Sequence, residues 1–222
     1  MSLKIGITGA SGVLGSELRK KIKNNLIIFK GDLTKKKDIF DWVKRNNFKS
    51  IYHFAAVVPI KEFNNSLKKS FKVNSIGTKY LVDAILKFQS KEIWFFYSST
   101  SHVYKLNNQA IKTKETDKCN PQSLYGSSKR DAEKYIIKQF TKYNYQYLIG
   151  RIFSFTHKNQ KKTFFVPSLI KKLLKFKKNK INKIDNINHY RDFLTTKDII
   201  NAILFLEKKR KQEFLILALV KN

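Results

Sequence analysis

The sequence predicts an α/β fold: a doubly wound parallel sheet with helices on both faces and a smaller C-terminal appendage. Two observations carry the prediction. Apolar strand-like runs alternate with amphipathic helical segments up to about residue 150, the pattern of strand–helix–strand crossovers. The first unit is joined by the glycine-rich turn Gly9-Ala10-Ser11-Gly12-Val13-Leu14-Gly15, with a strand before it and a helix after it.

Each element follows from local pattern. Lys4–Thr8 is a short apolar strand, and Leu14, Leu18 and Ile22 recur at helical spacing over Gly12–Lys23. Leu26–Phe29 is the second strand, running through Lys30 directly into Gly31-Asp32-Leu33 and a helix over Lys36–Asn46. A strand at Ser50–Phe54 and a long helix over Ser66–Phe88 come next, followed by the aromatic strand Glu92–Tyr97. A helix over Leu124–Tyr143 leads into a strand at Tyr147–Arg151. Beyond Arg151 the alternation lapses, leaving helices at Pro167–Lys177 and Thr196–Lys208 and a last strand at Phe214–Leu219. With three prolines and no low-complexity linker, no boundary separates a 1–150 dinucleotide-binding unit from a 151–222 lobe fed by the end of the sheet. The two are expected to form one compact unit.

Composition bounds the rest. The 222 residues suffice for a sizeable core, and 42% hydrophobic content is globular. No apolar run approaches the roughly 20 residues that span a bilayer. No charged-then-apolar leader precedes the first strand, and Cys119 is the single cysteine, so a reducing cytoplasm is the expected compartment. The net charge of +30 is the outlier. Lysine, asparagine, isoleucine and phenylalanine are all abundant, as codons rich in A and T would give, and most of the charge reads as solvated surface. It still concentrates anionic ligands near the protein. Nucleic acid stays open as a partner, but lysine runs such as Lys35-Lys36-Lys37 and Lys208-Lys209-Arg210-Lys211 lack interleaved aromatics.

The motifs point to chemistry. At the glycine turn, Gly9 permits the tight turn, Gly12 lets backbone approach a pyrophosphate, and Gly15 lets helix and strand pack closely. The helix N-terminus then offers N–H groups to phosphate, with Ser11, Val13 and Leu14 among the contacts. Downstream, Tyr125 and Lys129 stand four apart on one helix face. There Lys129 can lower the phenol's pKa and hold a cofactor ribose. The hydroxyl-rich Ser98-Ser99-Thr100-Ser101-His102 follows the aromatic strand. At the end of the second strand, Lys30 suits a 2′-phosphate or faces solvent, and Asp32 lies in the range of a ribose-binding acid.

The glycines are spaced G-x-x-G-x-x-G, and with Thr8 before them the segment resembles the extended short-chain dehydrogenase/reductases. Combined with Tyr125-x-x-x-Lys129 and the hydroxyl run ending in Thr100, the chain is similar to the NAD-dependent epimerase/dehydratase family, which modifies sugars attached to nucleoside diphosphates. The resemblance implies a Rossmann-like sheet, an NAD(P) cofactor with NADP favoured by Lys30, and a homodimer built on the helices near Ser66–Phe88 and Leu124–Tyr143. Both helices carry apolar stripes (Phe71, Leu81, Ile85; Ile136, Ile137, Phe140) that suit either a dimer face or the sheet. It also implies Thr100, Tyr125 and Lys129 as the catalytic set. His53-Phe54-Ala55-Ala56 resembles the family's H-x-A-A beside the dinucleotide, and Asp32-Leu33 its G-D-L, whose acid meets the adenine amino group. Asn74 resembles the helix asparagine that orders the active-site backbone. Arg191, one of six arginines, resembles the one that grips substrate diphosphate, unless it pairs with Asp198.

Departures narrow the substrate side. Between Leu26–Lys30 and Gly31 the family usually has a further strand, so one strand unit is expected to be shortened or missing. Ser154 replaces the asparagine that meets substrate phosphate, and the C-terminal lobe is reduced. Where nucleotide-sugar 4,6-dehydratases place Asp-Glu after the threonine, this chain has Ser101-His102, both facing the substrate in the family's arrangement. His102 titrates in the range of a base, or simply fills a polar pocket or faces solvent. The leading expectation is a 4-epimerase or 4-ketoreductase acting in surface-polysaccharide synthesis, with a dehydratase or a non-catalytic RNA-binding relative as alternatives.

Overall fold

A computed structural model describes residues 3–58, 64–105, 112–176, 184, 192–210 and 213–217. Its centre is a six-stranded sheet made of β1 (Lys4–Thr8), β2 (Leu26–Ile28), β3 (Phe48–His53), β4 (Trp94–Thr100), β5 (Gln146–Ile152) and β8 (Glu213–Leu217). The order is β2-β1-β3-β4-β5-β8 and every pairing is parallel. A Rossmann sheet ordinarily carries two strands beyond β1 on the side where β2 lies. Among the described residues β2 is alone there, so the strand unit expected to be missing is absent from the sheet. The order thereby becomes that of a flavodoxin-like sheet, but the point where the winding reverses still falls between β1 and β3.

Strand alternation divides the core between the two faces. Ile51, Phe95, Tyr97, Tyr147 and Ile149 face one cluster, covered by α2 (Lys36–Lys44), α4 (Thr78–Phe88) and α5 (Leu124–Tyr143). Their neighbours Tyr52, Phe96 and Leu148 face the other, covered by α1 (Val13–Lys21) and α7 (Thr196–Lys208). Leu81, Ile85, Ile136 and Phe140 are all 0% exposed, so these residues of the α4 and α5 stripes pack in the core; of the rest, Phe71 is exposed and Ile137 is partly buried against the same core.

The helix expected over Ser66–Phe88 is interrupted. It consists of α3 (Asn64–Phe71), a π-helical stretch Lys72–Gly77, and α4. Two three-residue strands, β6 (Ser154–Thr156) and β7 (Phe193–Thr195), form a small parallel sheet that the sequence pattern did not reveal. The helix expected at Pro167–Lys177 starts and ends earlier, as α6 (Phe165–Leu173); Lys177 itself lies outside the described residues, as do Ala218 and Leu219 of the expected last strand.

Candidate active site

The β1–α1 turn is shaped by two close approaches. Gly9 has φ +72°, and a Cβ there would stand 2.5 Å from the Ala55 nitrogen, so the turn and the β3 exit lie backbone to backbone. A Cβ on Gly15 would strike the Gly9 carbonyl oxygen. Gly12 differs: a Cβ would meet only that same oxygen, at 3.3 Å, so the fold does not require glycine there. Gly12 caps α1 with no side-chain hydrogen bond, and the first turn carries no acid. An exposed, uncapped helix N-terminus beside a small-residue turn fits a dinucleotide pyrophosphate. Ser11 is exposed and Val13 half-buried, whereas the Leu14 side chain is core, leaving its backbone to face the turn.

Phe54, Ala55 and Ala56 continue β3 alongside this turn and are half-buried. Beneath them His53 is fully buried, with Nδ1 2.5 Å from Thr8 Oγ1 and Nε2 2.8 Å from Thr78 Oγ1. Burial, reinforced by the Lys129 ammonium, holds its pKa down to about 3. Asn74, in the π-helical stretch, is 1% exposed. Its Oδ1 accepts from the Val57 nitrogen at 2.8 Å, and its Nδ2 donates to Val57 O, Ser70 Oγ and Ser128 Oγ. It thus braces the β3 exit against α5 rather than lying on a surface, and its amide is engaged by protein partners.

Asp32 and Lys30 mark the end of β2, both exposed. The Asp32 carboxylate accepts from Thr34 N at 2.8 Å and Thr34 Oγ1 at 2.9 Å, bonds that lower its pKa. Leu33 is buried, its carbonyl oxygen lying 2.7 Å from where a Gly77 Cβ would be.

Thr100, Tyr125 and Lys129 come together where β4 meets the start of α5. Ser123 caps α5 by accepting from Gly126 N at 3.1 Å, and Asn144 closes it in the left-handed region at φ 57°. Tyr125 stands beside Thr100, whose hydroxyl lowers the phenol's pKa, but burial outweighs it and pushes the phenol up to about 12. Lys129 is 2% exposed; its Nζ donates to Ser98 O at 2.6 Å and lies 4.6 Å from the centre of the Tyr97 ring. Burial brings its pKa down to about 7. Its ammonium is turned to β4, and the Thr100 hydroxyl is the group that lowers Tyr125.

Around this centre, Ser101 and His102 begin a short 3-10 turn, Ser101–Val103. His102 is exposed, its backbone nitrogen donating to Thr100 Oγ1 at 3.3 Å and its ring edge-on to Tyr125 at 5.8 Å. Ser154 is half-buried in β6, opposite Phe193 in β7. Arg191 lies outside the described residues; Asp198, its possible ion-pair partner, accepts from Thr195 Oγ1 at 2.6 Å at the start of α7. Sequence reasoning did not find Glu133 and Arg151 beside this centre. Their pairing links α5 to β5 through two bonds of 3.1 and 3.0 Å.

A family model described as GDP-mannose 4,6 dehydratase matches residues 7–220. The chain belongs to that family. Its relatives include a dTDP-4-dehydrorhamnose reductase from Aggregatibacter actinomycetemcomitans, 28% identical over 59% of this chain and 46% of that protein. A GDP-mannose 4,6 dehydratase from Dictyostelium discoideum is 26% identical over 88% of this chain and 56% of that protein. The chain therefore spans about half the length of these two relatives. Among solved structures, Thermus thermophilus UDP-glucose 4-epimerase in complex with NAD superposes with TM-score 0.81 at 16% identity, covering 99% of this chain and 78% of that one. Pseudomonas aeruginosa RMD in complex with NADPH gives TM-score 0.81 at 21% identity, covering 98% and 78%. The relatives thus include nucleotide-sugar reductases, dehydratases and an epimerase from Mycoplasma genitalium, and the solved structures share the fold of this chain.

Proposed function

We propose that this chain is an NAD(P)-dependent enzyme that transfers hydride at a carbon of a nucleotide-diphosphate sugar, as a 4-epimerase or 4-ketoreductase. The observation that carries the reading is the meeting of Thr100, Tyr125 and Lys129 at the end of β4, on the same edge of the sheet as the uncapped α1 N-terminus. Bound NAD(P) would supply or accept the hydride. The turn Gly9–Gly15 would hold its pyrophosphate, Ala55 and Ala56 its nicotinamide half, and Lys129 a ribose.

With its phenol pushed up to about 12, Tyr125 is protonated through the neutral range and suited to donate a proton to a ketone oxygen. Thr100 would bond the same oxygen and steady the phenol as the proton leaves. In the oxidative direction Tyr125, first deprotonated to the phenolate, would take the proton from a sugar hydroxyl while the hydride leaves for the nicotinamide. Ser101, His102, Ser154 and Arg191 would surround the sugar and its diphosphate, with residues beyond 150 forming a reduced cover. His102 stands where a dehydratase would need a carboxylic acid, and this residue favours epimerase or reductase over 4,6-dehydratase. Lys30 favours NADP. A role in surface-polysaccharide synthesis in the cytoplasm, as a homodimer through the outer faces of α4 and α5, completes the reading.

The test is to incubate the protein with nucleotide-diphosphate sugars and their 4-keto forms plus NADPH or NADH, following nicotinamide fluorescence and product chromatography. Turnover of a 4-keto sugar, or interconversion of 4-epimers, supports the reading. Water elimination without net reduction would move the assignment to a dehydratase. No cofactor binding below millimolar concentration, together with salt-sensitive RNA binding, would move it to a nucleic-acid binder. A scattering mass that stays near 26.1 kDa removes the dimer.

A further inference from the structure

Three consecutive residues at the end of β4 each meet a different residue of α5. Ser98 O accepts from Lys129 at 2.6 Å, Ser99 Oγ donates to Glu133 Oε1 at 2.5 Å, and Thr100 stands beside Tyr125. The outer two contacts belong to the candidate catalytic set. The middle one belongs to a charge cluster that the proposed mechanism does not use.

Glu133 is 0% exposed. Besides Ser99, its carboxylate accepts from Arg151 Nε at 3.1 Å, Arg151 Nη2 at 3.0 Å and Arg130 Nη1 at 2.7 Å. Arg151 is itself 3% exposed and reaches from β5, giving Nη1 to Tyr104 Oη at 2.5 Å and to Glu115 O at 3.2 Å. Burying such a cluster is costly, and apolar side chains of similar volume would join a helix to a strand without that cost. Its location then becomes informative: Glu133 stands one helical turn beyond Lys129, and its carboxylate holds the strand residue between the lysine's acceptor and the tyrosine's partner.

We propose that Glu133, clasped by Arg151 and Arg130, is a positioning residue that sets the charge carried by Lys129 and fixes the end of β4 against α5. This rests on the reading of Thr100, Tyr125 and Lys129 as the catalytic set. From β4, Lys129 meets the Ser98 carbonyl and the Tyr97 ring; from β3, His53 is close enough to feel its charge. Tyr125 and Glu133 stand on its own helix. His53 is neutral because burial suppresses its protonation, and burial keeps Tyr97 and Tyr125 as neutral phenols. Asp131, also on α5, is paired with Lys79 at 2.7 Å. Among the described residues, Glu133 is the group that raises the affinity of Lys129 for its proton, against the burial that lowers it. Arg151 and Arg130 moderate that influence by neutralising the carboxylate.

Two substitutions separate this role from a purely structural one, because they should move Lys129 in opposite directions. Glu133→Gln keeps the shape and the acceptor for Ser99 but removes the negative charge, so Lys129 should release its proton at lower pH. Arg130→Met, at a side chain 24% exposed, leaves the carboxylate less neutralised, so Lys129 should keep its proton to higher pH. The titration is read by carbon NMR of the lysine Cε atoms in the whole protein, with Lys129 assigned by the signal lost in Lys129→Met. Opposite shifts of about half a pH unit or more, with the pH profile of turnover following them, support the proposal. Unshifted titrations, or shifts of one sign in both variants, overturn it. If Glu133→Gln does not fold, Arg130→Met decides alone: no upward shift overturns the proposal. Opposite shifts in a protein that turns over no nucleotide sugar would sustain the coupling and overturn the catalytic reading instead.

Discussion

Gly126 lies so close to the carbonyl oxygen of His102 that no Cβ fits between them. The first turn of α5 is thereby pressed onto the 3-10 turn after β4, which seats Tyr125 beside Thr100 and edge-on to the His102 ring. Gly126→Ala should push the two turns apart while the rest of α5 stays anchored by Ile136 and Phe140, both 0% exposed. A displacement on the scale of an ångström costs on the order of 10²-fold in rate. Turnover should fall by that order with secondary structure intact by circular dichroism; normal activity in Gly126→Ala would show that the close approach does not position Tyr125.

Tyr125→Phe should lose on the order of 10²-fold or more in turnover while cofactor affinity stays nearly constant, because the hydroxyl acts on the reacting oxygen and not on the dinucleotide. Thr100→Ala removes the hydroxyl that lowers the phenol's pKa, leaving burial unopposed. The alkaline limb of the pH–rate profile should then move upward. A limb that moves down, or a Tyr125→Phe variant that retains its rate, contradicts the assigned proton transfer.

The three glycines of the β1–α1 turn should separate into two classes. Gly9→Ala and Gly15→Ala meet backbone atoms that cannot yield, so both should lower the thermal midpoint sharply or prevent folding. Gly12→Ala meets one oxygen at 3.3 Å and should fold, yet bind cofactor at least about tenfold more weakly, because its methyl group would occupy the pyrophosphate approach. Calorimetry and fluorescence titration check the two effects independently. Normal cofactor binding by Gly12→Ala would locate the pyrophosphate elsewhere.

These sites differ in how far they could be read from sequence, and the reason is physical. Local pattern determines α5: Ser123 caps it, Asn144 ends it in the left-handed region, and the observed bounds Leu124–Tyr143 coincide with the expected ones. The glycine turn was legible for the same reason, since backbone geometry there is written in residue type. The strands β6 and β7 were not, because three residues are too few to show a period of two. The π-helical stretch Lys72–Gly77 escaped because six residues are too few for apolar spacing to separate a π turn from an α turn, and Asn74 within it is held by tertiary contacts with Val57. Glu133 was the hardest to see. A glutamate four residues after a lysine reads as a solvated pair, and its burial is offset by partners that sequence spacing does not reveal, Arg151 from β5 and Ser99 from β4.

His53 should make the protein acid-sensitive. Its pKa is about 3 in the folded chain and returns to about 6.5 when unfolded. Between those values the unfolded chain holds the extra proton, so stability is fully present above about pH 6.5 and is lost as pH falls toward 3. Urea midpoints measured from about pH 7 to about pH 4 should fall across this window. His53→Gln, which cannot titrate, should show a shallower decline from a lower starting point. Equal slopes would mean that other groups account for the acid sensitivity.

The choice of cofactor should turn on Lys30 and not on Asp32. The Asp32 carboxylate is held by two bonds from Thr34 at 2.8 and 2.9 Å, within a local turn whose nitrogen is in turn held by Asp38 at 2.9 Å. That leaves it less able to accept from a ribose 2′-hydroxyl than a carboxylate free to turn. Lys30, exposed at the end of the sheet's edge strand, has no such commitment among its described contacts and suits a 2′-phosphate as a point charge. Lys30→Ala should therefore weaken NADPH by about tenfold, the scale of one partly exposed ion pair with a doubly charged phosphate, and leave NADH unchanged. Asp32→Ala should loosen the turn before α2 and weaken both cofactors together. Fluorescence titrations of the two variants with both cofactors decide the matter: equal losses for NADPH and NADH in Lys30→Ala would remove Lys30 from recognition and with it the preference for NADP.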